Sequence, residues 1–159
     1  MSTKKVVTIG IFIALSVVGA FIKIPSPTGT VALDAAPGYF SAAVLGGGEA
    51  ALIIALGHLV SSAIVGFPMT LPIHLLVAVQ MAVFAFLFGF LVRKINGYVA
   101  VALTTLANGV LAPLSMVPIF GWGFFAGMLV PLLVGSLVNI LLAYLVFKAI
   151  KKAGVNIAA

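Results

Sequence analysis

The sequence predicts an all-α integral membrane protein, a bundle of six transmembrane helices with cytoplasmic N- and C-termini. Three observations predict it. The chain is 64% hydrophobic and 6% charged with a mean hydropathy of +1.40, a composition that water-soluble domains do not reach. Pro- and Gly-rich breaks then divide it into apolar segments, several close to the roughly 20 residues a helix needs to cross a bilayer. Finally, with the N-terminus inside, Lys4, Lys5, Arg93, Lys94, Lys148, Lys151 and Lys152 all fall on the cytoplasmic side and Lys23 alone falls outside. That is the positive-inside pattern, and it accounts for the net charge of +6 without a nucleic-acid partner.

The chain of 159 residues reads as a single transmembrane domain, 1–159, with no soluble domain. Span one covers about 6–24 and begins straight after MSTKK, so it is expected to stay as a helix rather than be removed as a signal peptide. It carries Gly10 and Ala14 four apart, a small-residue pair that lets a second helix approach closely. Packing inside the same bundle would use such a pair equally well. The segment from Pro25 to Pro37 is too broken by Pro and Gly to span, and it holds Asp34, one of the two acids.

Span two, about 37–47, starts at Pro37, where proline suits a first helical turn, and looks short. Gly46-Gly47-Gly48-Glu49 turns the chain into span three, 50–65, whose His58, Ser61, Ser62 and Val65 share one face. Span four, 71–92, carries His74 and Gln80, about 120° apart around the helix at 100° per residue. Asn96-Gly97 leads into span five, 99–116, with Thr104, Thr105, Asn108, Ala112 and Ser115 along one stripe. Residues 118–122 form a turn in which Trp122 suits the membrane interface, and span six, 123–149, places Ser136 and Asn139 on one face.

The chain is organised around residues 57–80. Two apolar helices meet there at a turn bracketed by Pro68 and Pro72, with His58 and His74 on either side of it. Ionisable side chains are costly against lipid, so both histidines are expected to face protein. Two readings compete: each makes one helix–helix hydrogen bond, or together they line a pocket. The second is favoured because a chain with so few polar residues concentrates them here. The candidate site is Asp34, Tyr39, His58, Ser62, Phe67, His74, Asn108, Trp122 and Phe125.

Several chemistries are missing. There is no GxxxxGK[ST] loop for ATP, no HExxH, no GxSxG and no cysteine, so phosphate cradling, thiolate metal sites and thiol catalysis are excluded. An intramembrane Ser–His hydrolase on Ser61 or Ser62 lacks an oriented base and an oxyanion site. A pocket without a motor implies a binding subunit that draws its energy from partners, and the competing class is a stand-alone intramembrane enzyme or channel.

A six-span chain with Gly10-xxx-Ala14 on span one resembles the substrate-binding S components of energy-coupling-factor transporters, vitamin importers of prokaryotes. The resemblance implies a multi-pass protein of the cell membrane, without a cofactor or resident metal of its own and not an enzyme. Its partners would be a transmembrane coupling subunit and two ATPase subunits that consume the ATP. Gly10 and Ala14 would form the docking patch, although Gly10 stands where the family pattern has alanine. Leu33–Tyr39, Gly57-His58 and Gly66–His74 look most like the α-ribazole branch, which salvages a cobalamin precursor. Biotin, queuosine precursors and cobalamin are the neighbouring substrates. A flat apolar ring joined to a ribose suits walls of Tyr39, Phe67, Trp122 and Phe125 with polar groups from Asp34, His58, His74 and Asn108.

Overall fold

The computed structural model describes residues 2–154. It is helical almost throughout: α1 (Thr3–Gly19), α2 (Ala36–Val44), α3 (Gly47–Ile64), α4 (Leu71–Lys94), α5 (Gly97–Leu106), a π-helical turn (Ala107–Leu111), α6 (Ala112–Ser115) and α7 (Val117–Lys152). Four stretches are long and apolar enough to cross a membrane: α3, α4, the run Gly97–Ser115, and α7. Taking Gly97–Ser115 as one run, the described residues form six helical segments, and the first two differ most from the spans expected.

The first helix stops at Gly19, not near residue 24. Pro25 disfavours helix in the residue before it, and Leu33 passes so close that a side chain at position 19 would meet its backbone carbonyl. Phe21–Ala35 instead folds back as a strap. Its short hairpin is closed by Ile24 N–H to Val31 O at 2.9 Å and Leu33 N–H to Ile22 O at 3.1 Å. Helix α2 has only 9 residues, about 14 Å of rise and well short of the hydrocarbon thickness. Gly46, at φ 112°, ends it in a conformation that suits glycine.

Lipid supplies no hydrophobic drive between helices, so close packing of small residues has to hold the bundle. At Gly38 and Gly89 an added Cβ would lie 2.6 Å from Ile54 and 2.5 Å from the Ala42 carbonyl. The core fills the half of the bundle nearer the basic residues. Tyr39 there meets Phe88 edge-on at 5.6 Å, with Ile54, Ile140 and Tyr144 in the same cluster. Polar links tie off the basic end: Lys5 Nζ to Glu49 at 2.8 Å, Lys148 Nζ to Tyr98 Oη at 3.0 Å, and Arg93 donating to the Ala42 carbonyl. The last of these satisfies a carbonyl that the end of α2 leaves open. The opposite end is not filled in the same way.

Candidate functional site

At that opposite end a cavity opens between the strap, α3, α4, the π-helical turn with α6, and α7. Its atom-free space is about 710 Å³ with the open mouth counted, of which the centre of a water molecule can reach about 90 Å³. The walls are mainly apolar.

Asn139 builds the strap side. Its Nδ2 donates to Ala32 O and Gly135 O, each at 2.8 Å, while its Oδ1 accepts from Ala36 N–H at 2.7 Å. One buried amide thus grips the chain two residues before and two residues after Asp34. A buried amide with every group satisfied is worth most where no water can compensate. Held this way, Asp34 is 8% exposed and sits on the cavity wall, its Oδ2 3.9 Å from His58 Nδ1. Burial pushes its carboxyl up from 3.8 to about 7.

From His58 a row of rings runs away from the cavity. His58 Nε2 lies 3.4 Å from Ser62 Oγ and 3.3 Å from His74 Nδ1, and Phe67 packs on His74 at 5.5 Å. Of this row only His58 touches the cavity. The turn behind it is strained: Phe67 and Thr70 have φ of 49° and 70°, uncommon for residues with a Cβ. Bonds within the turn hold it, Phe67 N–H to Ser62 O at 2.9 Å and Thr70 N–H to Phe67 O at 2.8 Å.

The far wall depends on Pro113. A proline inside a helix removes one N–H and crowds the carbonyl four residues back, here that of Gly109. The helix relieves this through the π-helical turn at Ala107–Leu111, an irregularity often met at functional sites. The turn puts Asn108 on the cavity, with its Nδ2 bonded to Ser136 Oγ at 2.9 Å. Across from it, Gln80 of α4 donates to Ser115 Oγ at 2.8 Å.

The predicted site residues therefore divide. Asp34, His58 and Asn108 line the cavity. Ser62 and His74 are buried behind His58, with Phe67 on the outer side of His74. Tyr39 is buried in the apolar core, toward the basic end. Trp122 is 67% exposed and packs with Phe125 at 5.8 Å, so neither faces the cavity, whereas Phe124 does. Gly121, with φ of 77°, breaks α7 within the turn expected at 118–122, and the helix after it turns Phe124 to the cavity.

Other lining residues carried weaker signals. Met69, Met81, Met116 and Met128 all lie on the wall, four of the five methionines in the sequence. Unbranched thioethers adapt to irregular shapes and make favourable contacts with aromatic rings. Gln80 and Ser136 are conspicuous as polar residues in apolar helices, which is the signal that finds them. Among the described residues no three His, Cys, Asp or Glu side chains are grouped to hold a metal. Away from the cavity, Gly10 and Ala14 lie on the exposed face of α1, while Ser16 and Ala20 turn inward.

A family model for the ECF transporter, substrate-specific component, matches residues 4–151. No curated protein and no solved structure matches the chain. With nearly the whole length covered, on an all-helical membrane bundle with a half-enclosed cavity, the chain belongs to the substrate-specific components of ECF transporters: membrane subunits that bind a small substrate and associate with coupling and ATPase subunits.

Proposed function

We propose that this substrate-specific component takes up α-ribazole, bound in the cavity beneath the strap. The observation that carries the reading is the character of the wall: four methionines and Phe124 for a flat apolar ring, and a few fixed polar groups for a ribose. The motifs Leu33–Tyr39, Gly57-His58 and Gly66–His74 add the likeness to the α-ribazole branch. In this reading the basic end faces the cytoplasm of a prokaryote and the cavity opens outward, as the distribution of lysine and arginine favours. Asp34, His58 and Asn108 contact the ligand; Ser62, His74 and Phe67 support His58 from behind. The exposed Gly10/Ala14 face of α1 receives the coupling subunit, whose ATPase partners drive release.

A melting-temperature screen of the detergent-purified chain tests the substrate. A ligand that binds only the folded form raises its stability by RT ln(1 + [L]/Kd), about 2.7 kcal/mol at a hundredfold excess over Kd. α-Ribazole is expected to raise the melting temperature, and its 5′-phosphate to do so less, because no lysine or arginine lines the cavity among the described residues. A shift with biotin, a queuosine precursor or cobalamin, and none with α-ribazole, would reassign the substrate.

A further inference from the structure

The lining side chains differ in how much of their hydrogen-bonding capacity the protein already uses, and the remainder has a direction. Ser115 Oγ donates its hydrogen to Ala112 O at 2.7 Å, so at its 2.8 Å contact with Gln80 the oxygen must accept. This sets the Gln80 amide: its nitrogen faces Ser115, and its Oε1 is enclosed at the wall without a partner. Thr28 Oγ1 and Thr30 Oγ1 lie 2.7 Å apart and share a hydrogen that either can supply, with Met128 Sδ 3.9 Å from Thr28 Oγ1. Thr30, which lines the cavity, keeps at least one lone pair for it in either arrangement.

Asn108 turns its amide nitrogen to Ser136, which leaves Oδ1 as its other end. Asp34 contributes a carboxyl that burial raises to about 7, so it presents acceptor oxygens when ionised and an O–H as well when protonated. Both ring nitrogens of His58 face protein, Nδ1 toward Asp34 and Nε2 toward Ser62 and His74. By this accounting the free donors of the wall are the Ser136 hydroxyl and the second N–H of the Gln80 and Asn108 amides, while Gln80 Oε1 is an enclosed acceptor with no partner at all. An enclosed acceptor without a partner is destabilising, and Gln80 carries one.

We infer that the cavity reads its ligand as a hydrogen-bond donor, through hydroxyl or N–H groups presented to Thr30, Asp34, Gln80 and Asn108, and that it rejects ligands bearing a carboxylate or phosphate. The inference rests on the reading of this cavity as the substrate site, but not on α-ribazole being the substrate. A neutral N-heterocycle carrying hydroxyls fits the class. An acid does not: its charge would be taken out of water with no lysine or arginine among the described lining residues to offset it.

Isothermal titration of the detergent-purified chain with α-ribazole, its 2′- and 3′-deoxy analogues, its 5′-phosphate, biotin and an amine-bearing queuosine precursor tests this. Gln80→Met and Thr30→Val each remove an acceptor at similar size. In the wild type at least one deoxy analogue should bind about tenfold more weakly than α-ribazole, and that penalty should vanish in one of the two variants. Biotin and the 5′-phosphate should bind at least tenfold more weakly than the best neutral ligand. If α-ribazole fails while the queuosine precursor binds and is weakened about tenfold by Gln80→Met or Thr30→Val, the substrate assignment falls and the donor reading stands. The donor reading is overturned if an anion binds tightest, if neither deoxy analogue is penalised, or if neither substitution removes the penalty.

Discussion

Replacing Asn139 by leucine removes the clamp on the strap at nearly constant volume. Three hydrogen bonds are lost, but their costs differ. Gly135 O belongs to the same helix and keeps its backbone donor, so losing its side-chain bond matters little. Ala32 O and Ala36 N–H lose the partner they had at 2.8 and 2.7 Å, and both residues are buried. A buried backbone group left unpaired costs about 1–3 kcal/mol, so the two together cost roughly 2–6 kcal/mol. The strap cannot keep both groups where they are at that cost, and Asp34 lies between them. Asn139→Leu should therefore lower the melting temperature and weaken ligand binding at least tenfold. Leu137→Ala, on the outward face of the same helix at 44% exposure, is the control and should leave affinity unchanged. The assay is a thermal melt with and without ligand, beside titration calorimetry. An Asn139→Leu protein that melts and binds like wild type would refute the clamp.

Further expectations concern the α1 face, the histidines and pH. Gly10→Leu or Ala14→Leu should abolish uptake in cells carrying the coupling module, because a bulky side chain blocks helix approach. Binding by the solitary purified chain should survive, and mutants that lose binding or transport normally would contradict docking at this face. His58→Ala, which removes a ring of the wall and its contacts with Asp34 and His74, should raise Kd about tenfold with normal yield of folded protein, and His74→Ala by less, with the exposed Val79→Ala as neutral control. Lower thermal stability at unchanged affinity in both would make the histidines packing residues only. Because burial raises the Asp34 carboxyl from 3.8 to about 7, the folded state holds a proton there that the unfolded chain releases. The stability this contributes is complete below pH 3.8 and is lost as pH rises through about 7. At about 1.4 kcal/mol per pH unit the loss is at most roughly 4 kcal/mol. Comparing melts of wild type and Asp34→Asn isolates the carboxyl from Lys23, Tyr39 and the two histidines, and parallel curves would refute it.

The alternation of helices and turns was legible because membrane composition leaves few alternatives: every Pro-Gly cluster had to be a break. Where the helix ends moved, the cause lay in contacts that no local signal carries. Gly19 ends α1 because Leu33 comes back against it, an approach between residues fourteen apart that glycine permits but does not announce. Pro113 was visible in the sequence, yet nothing there says whether it kinks its helix, ends it, or is absorbed by a π-helical turn as observed. Two adjacent phenylalanines, Phe124 and Phe125, offered no local signal for which would face the cavity, and it is Phe124.

The candidate site was legible as a set of residue types and much less so as a set of directions. His58 and Asn108 could be picked out because polar side chains in apolar helices must face something other than lipid. That argument also selects Ser62 and His74, and it cannot separate a residue on the cavity from one a layer behind, since both are buried and both are polar. The separation needs the row of contacts from Asp34 through His58 to His74. Asn139 shows the limit from the other side. It lines the cavity, yet two N–H groups and one oxygen are already given to Gly135, Ala32 and Ala36, so its contribution to a ligand is the position of Asp34. Gln80 has the same amide with its oxygen unpartnered, because Ser115 accepts from its nitrogen and donates to Ala112. Two chemically equivalent side chains on one wall thus differ, one holding the strap and the other keeping an unpartnered oxygen. The difference resides in which neighbours have hydrogens to spare.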